Sequence, residues 1–167
     1  MKLTVRPTDD PRSYHVSSNK IQKELGFVPH HTIDEAIGDL IKAENQRGVA
    51  TERIAIAGFS QGGAMALHIG TRHPEKLAGV IALSCYLPRS SELATAPTTA
   101  NQATPIFMAH GTQDPVVPYP LGDESRRLLE SAGYSVEWHA YPMPHGLCEP
   151  EVAHLRSWLK RVCETPQ

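Results

Sequence analysis

Gly58-Phe59-Ser60-Gln61-Gly62-Gly63 follows a short apolar run, Arg53-Ile54-Ala55-Ile56-Ala57, and leads into Ala64-Met65-Ala66-Leu67-His68. The pattern reads as strand, tight turn and helix, with a serine at the apex. In a G-x-S-x-G elbow the turn is sharp enough to strain the serine backbone, and small flanking residues make room for it. The serine Oγ is lifted clear of the sheet, at the positive end of the helix that follows. A serine alone is a poor nucleophile, so another part of the chain must supply a base and a group that orients the base.

Two further loops supply them. Asp114 sits in His110-Gly111-Thr112-Gln113-Asp114-Pro115-Val116-Val117-Pro118, after the strand-like run from Pro105 to Ala109. His145 sits in Pro142-Met143-Pro144-His145-Gly146, after the strand-like run from Val136 to Tyr141. The order Ser, Asp, His separates this arrangement from the two other common serine triads. Each residue falls just past the carboxyl end of an expected strand, where open α/β sheets place their sites.

Residues 44 to 160 resemble the phospholipase/carboxylesterase family of α/β-hydrolases, which includes bacterial carboxylesterases and acyl-protein thioesterases. The likeness is carried by the elbow from Arg53 to Leu67, by Leu77-Ala78-Gly79-Val80-Ile81-Ala82-Leu83-Ser84-Cys85-Tyr86-Leu87-Pro88, and by the two runs that end in the Asp114 and His145 loops. It implies hydrolysis of short carboxylic esters or thioesters, with Ser60 as nucleophile, His145 as base and Asp114 as the orienting carboxylate. Gln61, next after the nucleophile, would offer its backbone N–H to the oxyanion hole.

Family members carry an earlier half of the sheet, whose first strand ends in a His-Gly-x-Gly loop that gives the second oxyanion donor. No counterpart is read before residue 44, so the hydrolase portion is expected to be truncated at its front. Val5 to Ile21 and Glu24 to Pro29, with the helix from Thr32 to about Ala43, resemble instead the carboxyl-terminal tail of NAD-dependent sugar epimerases. Tyr14 and Lys20 are not at that family's Tyr-x-x-x-Lys spacing and no Gly-rich dinucleotide fingerprint is present, so no redox chemistry and no cofactor is expected. The division is an epimerase-tail-like segment over 1–43 and the second half of a hydrolase over 44–167. A sugar-nucleotide module is the weakest functional reading, because tail helices alone make no nucleotide pocket.

The expected fold class is α/β: a short, mainly parallel sheet of about four hydrolase strands flanked by helices. A parallel strand such as Ile54 to Ala57 is apolar on both faces and expects neighbours. With one side bare it forms a sticky edge. Either an amino-terminal strand, Leu3 to Arg6, covers it, or a second copy does; the expectation favours a homodimer through this edge. Loss of one oxyanion donor costs about two to three orders of magnitude in kcat, so activity is expected on easily cleaved short-chain esters. The competing reading is a catalytically impaired remnant that serves as a scaffold or binding partner.

Composition sets the bounds. The chain has 167 residues, 40% of them apolar, which is one domain by length with material for a core. A net charge of −2 gives no field for nucleic acid. No run of about 18 apolar residues is present, so no membrane span is expected. Met1-Lys2-Leu3-Thr4 lacks an apolar leader core, and the three scattered cysteines, Cys85, Cys148 and Cys163, suit a reducing cytoplasm and give no metal spacing.

Helices are expected from Ser17 or Ser18 to Leu25, from Thr32 to Gly48, from the elbow to about His73, from Leu121 to Ala132 and from Glu151 to Cys163. Strands are expected at Ile54–Ala57, Val80–Ser84, Ile106–Ala109 and Val136–Tyr141, with possible short ones at Leu3–Arg6 and Tyr14–Val16. Arg89 to Thr104 reads as a loop beside the site. His110 and His139 read as structural, the His30-His31 pair lacks a third metal ligand, and Cys148 reads as a packed thiol in preference to a Cys–His nucleophile pair. Trp138 and Trp158 read as core or interface, and Tyr86 as a pocket or loop anchor.

Overall fold

A computed structural model describes residues 19–26, 28, 32–95 and 100–164. The chain divides between Ile37 and Gly38 into two compact units. The first contributes α1 (Asn19–Leu25) and the opening turn of α2 (Ile33–Gln46). Gly26, at φ 65°, stops α1. Thr32 caps α2 with a reciprocal pair: its Oγ1 accepts the Glu35 N–H at 3.2 Å, and its own N–H reaches Glu35 Oε2 at 2.6 Å. The expected strands at Leu3–Arg6 and Tyr14–Val16, the Ser17 and Ser18 caps and the His30-His31 pair lie outside the described residues.

The second unit alternates strand and helix: β1 (Ala55–Phe59), α3 (Gln61–Gly70), β2 (Gly79–Leu83), β3 (Ile106–Gly111), α4 (Tyr119–Ser131), β4 (Val136–Tyr141) and α5 (Glu149–Glu164). The four strands form one parallel sheet in chain order, β1-β2-β3-β4. Parallel pairing needs a crossover, and α3 and α4 supply two of the three. Between β2 and β3 lies a short 3-10 helix, Ser90–Thr95, where a plain loop was expected. Two turns of that kind are too short to show an apolar period.

Alternation along the central strands builds two cores. Val80, Ala82, Ile106 and Met108 face one way, onto Ala64, Ala66 and Leu67 of α3 and Leu129 of α4. Ile81, Leu83, Phe107 and Ala109 face the other, onto Trp158 of α5 with Leu155 at the margin. Strands β2 and β3 are buried at every position, as a parallel sheet covered on both sides requires. Truncating Phe107, which is wholly buried, would cost about 3–5 kcal/mol.

The edges differ. Strand β1 pairs only with β2 among the described residues, and Ala55, Ala57 and Phe59 are exposed. Leu3–Arg6, the strand expected to compete for the other side of β1, lies outside the described residues. Strand β3 runs two residues past its expected end, through His110 and Gly111, because β4 continues beside it, His110 against Ala140 and Gly111 against Tyr141.

Candidate active site

The carboxyl ends of the strands converge on one pole of the sheet. Leaving β1, the chain turns at Ser60, whose φ of 56° and ψ of −121° lie in a region that side chains seldom adopt. The turn is held from both sides: the Ser60 N–H donates to the Leu83 carbonyl of β2 at 2.8 Å, and its carbonyl accepts the Ala64 N–H of α3 at 3.0 Å. The reversal is so tight that a β-carbon on Gly58 would lie 2.1 Å from the Gly62 carbonyl carbon. A side chain on Gly63 would strike Cys85 Sγ at 2.9 Å, whereas one on Gly62 would meet nothing. So Gly58 and Gly63, not both glycines that flank the serine, are the ones sterics demand. Ala64 makes the first intrahelical bond, which leaves the Gln61 N–H outside the ladder at the helix start.

Asp114 and His145 come from the neighbouring ends of β3 and β4. Asp114 Oδ1 accepts the backbone N–H groups of Val116 and Val117, each at 2.8 Å. Its Oδ2 lies 2.7 Å from His145 Nδ1. The carboxylate is wholly buried and the imidazole 16% exposed, so the pair opens outward only on the histidine side. Burial pushes the Asp114 carboxyl up, but hydrogen bonds from His145, Val117 and Val116, with the His145 charge, outweigh it and hold the group below the ordinary carboxylate value. The two loops are tied together: Thr112 N–H donates to the Tyr141 carbonyl at 2.7 Å and Gln113 N–H to the Met143 carbonyl at 3.2 Å. Gly111 permits this, since a β-carbon there would sit 2.3 Å from the Met143 carbonyl oxygen.

The His145 ring lies on Phe59, the residue before Ser60, with centroids 4.7 Å apart. All three residues singled out in the sequence thus reach one pole. The hydrogen bonds of the described residues join Asp114 to His145 and do not include one from Ser60 Oγ to His145. Such bonds are often loose without substrate and tighten with it. Phe59 at the end of β1, and Tyr86, Val116 and Leu147 on the loops that follow the other strands, stand exposed around this pole.

The other nucleophiles are poorly suited. Cys85 is buried and its thiol is pushed up to about 12 by burial, so it stays protonated beneath the elbow. Cys148 packs against the Tyr141–Met143 core, and its N–H caps α5 through Glu151 Oε2 at 3.4 Å. Among the described residues no group of three or more His, Cys, Asp or Glu could hold a metal ion.

Several contributors had no signal in the sequence. Leu83 acts through its carbonyl and Val116 and Val117 through their N–H groups, which almost any residue but proline could offer. Ser84, next after β2, is wholly buried at φ 48° with its hydroxyl lacking a partner.

A parallel sheet with a strained serine between strand and helix, and an aspartate–histidine pair on the next loops, defines an α/β-hydrolase. The sequence profile described as Phospholipase/Carboxylesterase matches residues 13–163. The chain belongs to that family. Acyl-protein thioesterase 1 of Neurospora crassa is 49% identical over 125 residues, 72% of this chain and 51% of that protein. A probable carboxylesterase of Oryza sativa subsp. japonica is 33% identical over 158 residues, 91% of this chain and 56% of that protein. The crystal structure of Arabidopsis thaliana SOBER1 superposes with a TM-score of 0.73 at 32% identity, over 77% of this chain and 62% of that one. The chain spans about half the length of the curated relatives it matches. Among the described residues no helix is long and apolar enough to cross a membrane.

Proposed function

We propose that this chain is a serine ester hydrolase that cleaves short-chain carboxylic esters, and thioesters of the same size, through an acyl-enzyme on Ser60. His145 Nε2 takes the Ser60 proton as Oγ attacks the carbonyl carbon, then gives it to the departing alcohol or thiol. Water, deprotonated by the same nitrogen, attacks the acyl carbon and releases the acid. Asp114 keeps Nδ1 protonated and stabilises the imidazolium, without itself taking a proton. The Gln61 N–H, at the positive end of α3, is one oxyanion donor. The observation that carries this reading is the 2.7 Å Asp114–His145 pair beside the strained Ser60 turn. The names of the relatives, an acyl-protein thioesterase and a probable carboxylesterase, support the ester and thioester class.

On this reading 44–167 is the hydrolase portion. The segment 1–43, for all its likeness to an epimerase tail, carries no chemistry of its own; the family match itself reaches back into it, to residue 13. The side of β1 that no described strand pairs with favours a second copy, Ile54 to Ala57 of one protomer along the same edge of its partner. Size-exclusion with light scattering should return twice the chain mass, and a monomer at high micromolar concentration would rule the pairing out.

The activity is tested by p-nitrophenyl butyrate and a butyryl thioester, each offered to the wild type and to Ser60→Ala. Turnover by the first and not by the second is expected. Equal rates would leave the chain as a scaffold or binding partner.

A further inference from the structure

The most deeply placed histidine of the site pole is one the proposed reaction does not use. His110, at the end of β3, is fully buried. Its Nε2 lies 2.8 Å from the Val117 carbonyl and 3.5 Å from Asp114 Oδ2, the same oxygen that faces His145. A carbonyl only accepts, so Nε2 carries the proton. The other nitrogen, Nδ1, has no hydrogen-bond partner. It faces α4 at Gly122, where a β-carbon would come within 2.3 Å of it. Tyr119 lies edge-on to the ring and Trp138 tilts beside it, with centroids at 6.0 and 6.3 Å. Nε2 is thus the one ring nitrogen engaged with the Asp114 loop.

We propose that His110 is a positioning residue for the Asp114 carboxylate. The linkage is short. His110 Nε2–H fixes the Val117 carbonyl; the Val117 N–H grips Asp114 Oδ1; and Asp114 Oδ2 is thereby aimed at His145 Nδ1. The second, longer approach of the same N–H to Oδ2 limits how far the carboxylate can rotate away from His145. This role goes beyond packing: an apolar side chain of equal volume would fill the space and leave the Val117 carbonyl without its donor. It rests on the triad reading above.

The test compares three variants with the wild type. In H110Q the amide N–H2 reaches to where Nε2 stood. In H110N the amide is too short to reach the Val117 carbonyl. H110A removes donor and volume together. For each, kcat and KM toward p-nitrophenyl butyrate are measured per folded molecule, and the low-field proton NMR resonance of His145 Nδ1–H is recorded. H110N and H110A should lose about tenfold to a hundredfold in kcat, less than the ~10⁴ lost when a triad aspartate becomes an amide. KM should stay within about threefold, because ground-state binding is untouched. H110Q should recover most of kcat and keep the low-field resonance, which the other two should broaden or lose. The proposal is overturned if kcat is alike in all four proteins, or if H110Q falls as far as H110N. A wild type without turnover sinks the esterase reading alone; the resonance then decides the role of His110, and its survival in H110N would refute it.

Discussion

The two ends of the sheet hold their backbone in opposite ways. At the amino-terminal end of the strands the described left-handed residues are glycines, Gly48 before β1 and Gly133 before β4. The loops there are clamped by Asn101, which is almost fully buried. It accepts the Leu77 N–H at 2.8 Å and the Thr104 hydroxyl at 2.8 Å, and donates to the His73 and Glu75 carbonyls, each at 2.9 Å. At the carboxyl-terminal end the left-handed residues are Ser60, Ser84 and Arg89, all with side chains that oppose that conformation. One end is relaxed and its loops are tied by Asn101; the other carries strain at the pole where Ser60, Asp114 and His145 lie. The contrast teaches that the strained end is held in shape by pairing with β2 and β3, on a sheet whose opposite end is clamped by side-chain hydrogen bonds.

The strongest way to break this contrast is to remove the reacting group and leave the fold alone. Ser60→Ala should cost roughly 10⁴- to 10⁶-fold in ester hydrolysis, by analogy with nucleophile deletion in other serine hydrolases, while the melting temperature stays put. Asn101→Ala should do the reverse. Leaving the Leu77 N–H and two loop carbonyls short of partners should cost about 2–4 kcal/mol in a urea titration, with kcat per folded molecule within twofold of wild type. Ser84→Gly sharpens the claim of stored strain. It relieves a positive φ and deletes an unpartnered hydroxyl, so the urea midpoint should rise by the equivalent of about 1 kcal/mol after the glycine entropy cost is subtracted.

The smallest effect is in pH. Asp114 is held below the ordinary carboxylate value in the folded chain. Its contribution is therefore complete above the unfolded-state value, near pH 3.9, and is lost as the pH falls from there through the folded one. Thermal melts between pH 6 and 3 should show a steeper acid decline for the wild type than for Asp114→Asn. Parallel curves would show that the hydrogen bonds on Asp114 do not stabilise the fold.

Much of the strained end was legible in the sequence. The elbow is local: six consecutive residues carry the turn, and the strand and helix that bracket it differ in apolar period. Asp114 and His145 could be named because each follows a run that only a strand explains. The relaxed end was not legible. Asn101 sits in a Ser/Thr/Ala-rich stretch without periodicity, and its partner His73 lies 28 residues away in the chain, a distance no window of pattern spans. Ser84 looked like the last residue of a strand; its φ of 48° shows that β2 has already ended at Leu83. Helix α5 starts at Glu149, earlier than expected, because Pro150 can occupy a first turn, where no N–H bond is lost.

One measurement reaches the central claim, that the strained pole brings a competent serine, histidine and aspartate together. A fluorophosphonate probe is incubated with the wild type and with His145→Ala, and the adduct is located by peptide mass spectrometry. The account predicts a single covalent adduct on Ser60 in the wild type, and labelling slowed at least a hundredfold without the histidine, within the range that triad deletions span. An unlabelled Ser60, or one labelled equally fast in both proteins, would contradict it.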